Sequence, residues 1–445
     1  MTHNFFHHSK KNKVEYFLDG SDYQKKYLNL IKNAQYNIHL QTYIFELDDF
    51  GKKVYDELIL AAKRGIKIYL LIDSVGSSLF NESAEDELKS FGVFFFRFNG
   101  IQFKWLYRWG RRLHHKILLI DEEFSFIGGI NVNSKFDHES KTHQLDFALF
   151  LQGSANKELT QYVQNVFKKS SGIKTMIFSK IPLPLLNHHP SLKKDVDVKI
   201  LVNDWVFRRW QITKDYAHKT QNAKHSITII NSYFFPRRVF MRQLSDASKR
   251  GVKVRLILPK FSDWPSYILA SEFLYSYFLK NGIEIYQWNK SILHGKMAII
   301  DHDWCTIGSF NLNYTSYQQN LEMNVNLYSE DFTKILLKEI EHLIEFGCNK
   351  IDADDFIKNC PLNIKIKRFF YYVIAALVAN FSIGMTYQED DSKGNQIYNL
   401  MRTVGATFFL ILGIVGSLIP ILPGFPFLII SFLLIYKQIL LNKKK

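Results

Sequence analysis

The feature that most constrains this 445-residue chain is an internal duplication. His114, Lys116 and Asp121 are spaced H-x-K-x4-D, and after six intervening residues comes Gly128-Gly129-Ile130-Asn131-Val132-Asn133. The second copy has His294, Lys296 and Asp301, followed at the same spacing by Gly308-Ser309-Phe310-Asn311-Leu312-Asn313. In both copies the two asparagines stand 17 and 19 residues beyond the histidine. A short pattern found once can be chance, but two in register inside a longer repeat cannot.

The longer repeat has α/β grammar. Residues 23–34 read as a helix, 37–45 as a strand, 51–63 as a helix and 66–72 as a buried strand, with Gly65 supplying the helix C-terminal cap. Asn33-Ala34 and Arg64-Gly65-Ile66-Lys67 of this first pass return as Asn222-Ala223 and Arg250-Gly251-Val252-Lys253. The expected organisation is a disordered N-terminus over 1–13, a first unit over 14–190 and a second over 191–357. Pro182, Pro184 and Pro190 punctuate the join. The expected fold is α/β: two units related by a pseudo-twofold, each a mixed sheet flanked by helices, with the active site at their junction.

Residues 358–445 differ in composition. Lys365, Lys367 and Arg368 precede an apolar run over 369–384, expected to be interfacial or spanning. From 403 to 436 there is no charged residue, and Pro420, Pro423, Gly424 and Pro426 interrupt the stretch. A helix needs roughly 20 apolar residues to span a bilayer, so 403–441 reads as a membrane hairpin of two short helices. Its flanking lysines place both ends, and the units before it, on the cytoplasmic side of a cell (inner) membrane.

The formal net charge of +15 points to a phosphate-rich partner, either anionic lipid or nucleic acid. Phe103, Trp105, Leu106, Tyr107 and Trp109 interleave with Lys104, Arg108, Arg111 and Arg112, which suits an anionic membrane surface. The three cysteines form no C-x2-C pair, which argues against a disulfide framework or a structural zinc.

The chemistry lies in the repeated motif. His and Lys at i and i+2 project from one face of a strand. A lysine charge, the amides of Asn131 and Asn311 and an imidazole able to attack phosphorus or protonate a leaving oxygen make a phosphate pocket. One copy is half a site; two facing copies supply nucleophile, general acid and paired clamps. Asn133, Asn313, Arg111 and Arg112 are the expected substrate-binding residues. Asp146 and Glu322, at matching places in the two copies, are the expected orienting carboxylates. Asp121 and Asp301, the motif aspartates, end their strands and read as holding the following turn. No metal or cofactor is expected.

These residues resemble the phospholipase D superfamily over roughly 14–330. Ser232-Tyr233-Phe234-Phe235-Pro236, Leu293-His294-Gly295-Lys296 and Asp303-Trp304-Cys305-Thr306-Ile307-Gly308-Ser309-Phe310-Asn311-Leu312 are similar to bacterial cardiolipin synthases. The resemblance implies a metal-independent, two-step exchange through a phosphohistidine, with the N-terminal histidine as nucleophile. The implied reaction makes cardiolipin and glycerol from phosphatidylglycerol, with phosphatidylethanolamine as another candidate substrate and no obligatory nucleic acid. The competing reading is a phosphodiesterase or nuclease using the same two histidines.

Overall fold

In the computed structural model, the structure describes residues 7–18, 20–99, 111–137, 140, 142–172, 195–204 and 209–386, plus six residues of the C-terminal stretch. The aromatic and basic cluster over 103–109, the proline-rich join and most of the expected hairpin lie outside these residues.

The first copy opens with β1 (Ser9–Phe17), α1 (Gly20–Lys32), β2 (Asn37–Thr42), α2 (Asp49–Lys63), β3 (Lys67–Asp73), α3 (Glu82–Ser90) and β4 (Phe94–Phe98). It continues through β5 (Arg112–Leu113), β6 (Lys116–Ile120), β7 (Phe124–Gly128), β8 (Gln144–Leu145), β9 (Ala148–Gly153) and α4 (Ala155–Ser171). The second copy opens with β10 (Val196–Asp204), β11 (Arg209–Trp210), α5 (Gln211–Asn222), β12 (Ser226–Asn231), α6 (Arg238–Lys249), β13 (Lys253–Pro259), α7 (Pro265–Lys280) and β14 (Glu284–Trp288). Then come β15 (Ile292–Leu293), β16 (Lys296–Ile300), β17 (Trp304–Gly308), α8 (Tyr314–Gln318), β18 (Asn320–Tyr328) and α9 (Glu330–Gly347). β19 (Cys348–Lys350), α10 (Ala353–Lys358) and α11 (Leu362–Thr386) follow the repeat.

Each copy builds its ladder in the same order. In the first, β4-β3-β2 are parallel neighbours and β2-β6-β7-β9-β1 are antiparallel. In the second, β14-β13-β12 are parallel and β12-β16-β17-β18-β10 antiparallel. The two ladders join through β1 and β10.

That joint corrects the expectation of a disordered N-terminus through residue 13. Asn12 pairs with Gly153 and Lys13 with Gln152, while Ser9 pairs with Val198. Asn12 is buried, and its Nδ2 donates to the carbonyls of Ser9 at 2.5 Å and Val196 at 3.3 Å. Backbone ladder bonds stabilise this segment, and a polar composition does not reveal them.

Three cores follow from the strand alternation. One packs α1, α2 and α3 on the outer face of the first sheet, and another packs α5, α6 and α7 on the second. The third draws on both copies: Leu119, Ile127 and Leu149 pack in one cluster with Met297, Ile307 and Val325, closed by Val163 of α4 and Leu336 of α9. Each such aliphatic side chain contributes about 1.5–3 kcal/mol on burial, so the two copies stabilise each other. Both lie inside one compact unit, residues 1–379; residues 380–445 form a second. Among the described residues no helix is long and apolar enough to cross a membrane.

Candidate active site

The two short strands that lead into the histidines cross between copies. β5 pairs parallel with the start of β18, Leu113 opposite Leu321, and β15 pairs parallel with β8, Leu293 opposite Leu145. The amide of His114 therefore donates to the Leu321 carbonyl at 3.0 Å, and that of His294 to the Leu145 carbonyl at 2.8 Å. The residue after each acceptor is a carboxylate. His114 Nδ1 meets Glu322 Oε2 at 2.9 Å, and His294 Nδ1 meets Asp146 Oδ2 at 2.5 Å. Each histidine is thus oriented by the other copy. With Nδ1 turned to a carboxylate, Nε2 is the ring nitrogen left for chemistry.

Lys116 and Lys296 sit beside these pairs, both buried. Lys116 Nζ donates to the His114 carbonyl at 2.5 Å, and Lys296 Nζ lies 3.6 Å from Asp146 Oδ2. Burial lowers the proton affinity of both lysines, bringing Lys116 to about 7, while Glu322 and Asp146 partly restore it. Burial also lowers both imidazoles; for His294, burial and then Lys296 push the value to about 4. Burial would raise the two carboxyls, but the cations outweigh it: Lys296 and His294 hold Asp146 low, and His114 and Lys116 hold Glu322 low. The site is therefore a pair of carboxylates and two lysines around two rings that burial holds neutral.

Asn131 and Asn311 each have their amide oxygen tied back, to the Ile44 N–H at 3.2 Å and to the Ser232 hydroxyl at 2.8 Å. That orientation leaves the NH2 of each as a donor for a ligand oxygen. Asp121 accepts from the backbone N–H groups of Gln35, Tyr36 and Asn37, and Asp301 from those of Lys224, His225 and Ser226. Both aspartates have positive φ, 53° and 55°, so each closes the turn between paired strands and stays out of the pocket.

Four expected substrate contacts are engaged elsewhere. Asn133 caps the short helix Ser134–Phe136 and donates to Glu46, and Asn313 caps α8 through the Ser316 N–H. Their side chains satisfy helix-end amides, a requirement that the motif spacing does not distinguish from ligand binding. Arg111 pairs with Asp204 at 2.7 Å, and Arg112 lies 3.7 Å from buried Asp73.

The pocket also holds residues that the motif did not include. Tyr43 lies 5.0 Å from the His114 ring, and Tyr233, one position further on in the second copy, is edge-on to His294 at 6.2 Å. Ser309 donates to Glu322 Oε2 at 2.5 Å, and Asn320 to Oε1 at 3.0 Å. The repeat gave only part of the signal: Tyr43 directly follows β2, whereas Tyr233 stands one position further beyond β12.

Comparison with known proteins agrees with this architecture. A family described as "Cardiolipin synthase, PLD-like domain" matches residues 27–170 and 216–344. Cardiolipin synthase B of Escherichia coli K12 is 30% identical over 352 residues, covering 77% of this chain and 82% of that protein. Cardiolipin synthase 1 of Staphylococcus aureus MRSA252 is 28% identical over 388 residues, covering 83% of this chain and 74% of that protein. The solved phosphatidylserine synthase of Haemophilus influenzae Rd KW20 shares the fold, with a TM-score of 0.60 at 14% identity over 82% of this chain and 95% of that one. With both motifs present and the family covering most of the two copies, the chain belongs to the phospholipase D superfamily, in its family of cardiolipin synthase-like enzymes.

Proposed function

We propose that the chain transfers a phosphatidyl group between phospholipids, making cardiolipin and glycerol from two phosphatidylglycerols. The observation that carries this reading is the reciprocal His–carboxylate pairing, which engages both Nδ1 atoms and leaves two Nε2 atoms for chemistry beside two buried lysines. His114 Nε2 attacks phosphorus and the P–O bond to glycerol breaks, while His294 gives the departing oxygen its proton. His294 then takes the proton of the incoming lipid hydroxyl, that oxygen attacks, and the P–N bond to His114 breaks. Lys116, Lys296 and the Asn131 and Asn311 amides stabilise the equatorial oxygens, where charge gathers. A bound phosphodiester brings negative charge beside both rings and raises their proton affinity, so that one can serve as acid. Lipid analysis by mass spectrometry after expression in a cardiolipin-free host tests the reaction. New cardiolipin is expected, and its absence with free phosphatidic acid accumulating would make the chain a hydrolase.

A second assignment exchanges the histidines. It is supported by burial and Lys296 pushing His294 down to about 4, which keeps that ring in the neutral form a nucleophile needs. Intact-protein mass spectrometry with an activated phosphatidyl donor separates the two. An adduct in His294→Ala but not in His114→Ala supports His114 as nucleophile, and the converse reverses the roles.

The uncharged stretch 403–436 anchors the enzyme as a membrane hairpin in this reading. The stack of buried Phe409 on Phe427, ring centroids 6.2 Å apart, supports it by bringing the two halves of that stretch together. The basic flanks put the catalytic unit on the cytoplasmic side. A C-terminal tag should be digested by protease added to the cytoplasmic face of sealed vesicles; protection there contradicts the hairpin.

A further inference from the structure

Away from the histidines, α7, α10 and α11 wall a cavity of about 440 Å³, a volume in the range of small-ligand sites. Its rigid element is Arg368, whose Nε donates to Glu272 at 2.8 Å while the guanidinium lies 4.3 Å from the Phe356 ring. Lys280 and Lys365 also line it, and among the described residues neither has an ion-pair partner. Three cations thus face one carboxylate, which already shares its charge with Arg368.

The surface beside the cavity has the opposite character. Phe273, on the cavity wall, packs against Tyr372 at 4.5 Å and Phe369 at 5.6 Å. Phe273 and Phe369 remain exposed, and so do Leu362 and Ile366 on the first turns of α11. Cationic side chains on the cavity wall, two of them exposed lysines, beside exposed apolar side chains of the same helices match an anionic headgroup carrying hydrocarbon. An isolated anion would not need the apolar neighbours, and a hydrocarbon alone would not need the lysines.

The cavity is separate from the reaction centre. Tyr267, near the start of α7, packs edge-on against Tyr233 beside His294, whereas Lys280 ends the helix. Lys280 stands thirteen positions beyond Tyr267 on the helix, roughly 20 Å at 1.5 Å per residue, and Glu272, the cavity residue nearest to it on α7, five positions, roughly 8 Å.

We propose that this cavity seats the phosphodiester headgroup of an anionic phospholipid that does not itself react, with its acyl chains along the exposed apolar residues of α7 and α11. The site would hold the catalytic unit on an anionic bilayer and goes beyond the transfer reaction, since it needs neither histidine.

The test is calorimetric titration of the full chain carrying His114→Ala and His294→Ala with monomeric dihexanoyl-phosphatidylglycerol. Two binding events are expected, one in the motif pocket and one in the cavity. Adding Lys280→Glu and Lys365→Glu should weaken one event by at least about tenfold and leave the other in place, because each basic group near an anionic lipid is worth about fivefold. Glycerophosphoglycerol and inorganic phosphate, which lack acyl chains, should bind the cavity at least about tenfold more weakly, given the apolar carbons they forgo. Equal binding of these two would make it a free-anion site and overturn the lipid assignment. The absence, in the protein with intact lysines, of any binding event that the lysine substitutions weaken overturns the proposal. In the otherwise wild-type enzyme, Lys280→Glu/Lys365→Glu should turn over dihexanoyl-phosphatidylglycerol within about twofold of normal, as surface substitutions do. Collapse of that activity would place the cavity in the catalytic machinery and overturn its separateness. Because the binding count is read without turnover, failure of the transferase reading leaves it intact.

Discussion

Between His114 and Lys116 stands a second histidine, whereas between His294 and Lys296 stands a glycine, and the two halves of the site differ outward from there. His115 is fully buried, with Nε2 2.9 Å from Gln41 Oε1, and burial lowers it to about 3. At Gly295 a Cβ would come within 2.2 Å of the Phe147 ring, so the second copy admits no side chain there. The carboxylates differ in the same way. Glu322 holds His114 while accepting from Ser309 and Asn320; Asp146 holds His294 with Gly129 pressed so close that a Cβ there would lie 2.2 Å from its carboxylate. A short carboxylate against glycine and a longer one against serine place equivalent oxygens at equivalent imidazoles. The duplicated backbone therefore carries two electrostatically distinct histidines, the condition for giving one the nucleophile's part and the other the acid's.

The largest expected effect tests whether the copies are functionally crossed. His114→Ala and His294→Ala should each cut kcat by at least about 10⁴-fold, as removal of a nucleophile or its partner does elsewhere. Glu322→Gln should then behave as a weaker His114 variant and Asp146→Asn as a weaker His294 variant, each losing about 10²–10⁴-fold. Adduct formation with an activated donor reads the class: Glu322→Gln grouping with His294→Ala would break the crossed assignment.

Next comes the glycine–serine contrast. Gly129→Ala drives a methyl into the Asp146 carboxylate, and overpacking of this kind costs about 1–3 kcal/mol, so kcat/KM should fall about 10- to 100-fold. Ser309→Ala removes one of the two donors that Glu322 has besides His114, a loss of about 1 kcal/mol, and should lower it only about fivefold. Equal losses would show that the two carboxylates are held alike after all.

The last test is a pH response. Lys116 is lowered to about 7 in the free enzyme, so the cation that receives the phosphate is present below that pH and lost above it. The Lys116 contribution to kcat/KM should accordingly decline as pH rises through about 7, by up to about tenfold per unit. Lys116→Arg keeps its charge at all working pH values and should flatten that limb even if its maximum is lower. A limb unchanged in Lys116→Arg would assign it to another group, such as Lys296.

Much of the molecule was legible from local pattern. The α/β order, the duplication and the His-Lys-Asn sets are written in spacings of a few to a few tens of residues, where strand and helix periodicity operate. The aspartate turns were legible too, because Asp121 and Asp301 sit where a strand must reverse. Chemistry alone could not sort the asparagines: Asn131 and Asn133 are the same residue two positions apart, and only the short helix starting at Ser134 makes the second one a cap. Nor could charge sort the arginines, since Asp204 and Asp73 meet Arg111 and Arg112 only after folding.

By itself, then, the sequence determined that the His-Lys-Asn groups come in two sets. The tertiary structure decided how the sets combine. His114 and Glu322 are 208 residues apart and His294 and Asp146 are 148 apart, and no spacing rule reaches that far. What joins them is a two-residue parallel pairing on each side, β5 on β18 and β15 on β8, whose register sets each histidine beside the carboxylate of the other copy. Such pairing is specified by the shared core that stacks the two copies, through contacts summed over both sheets, and so it exists only once the whole chain has folded.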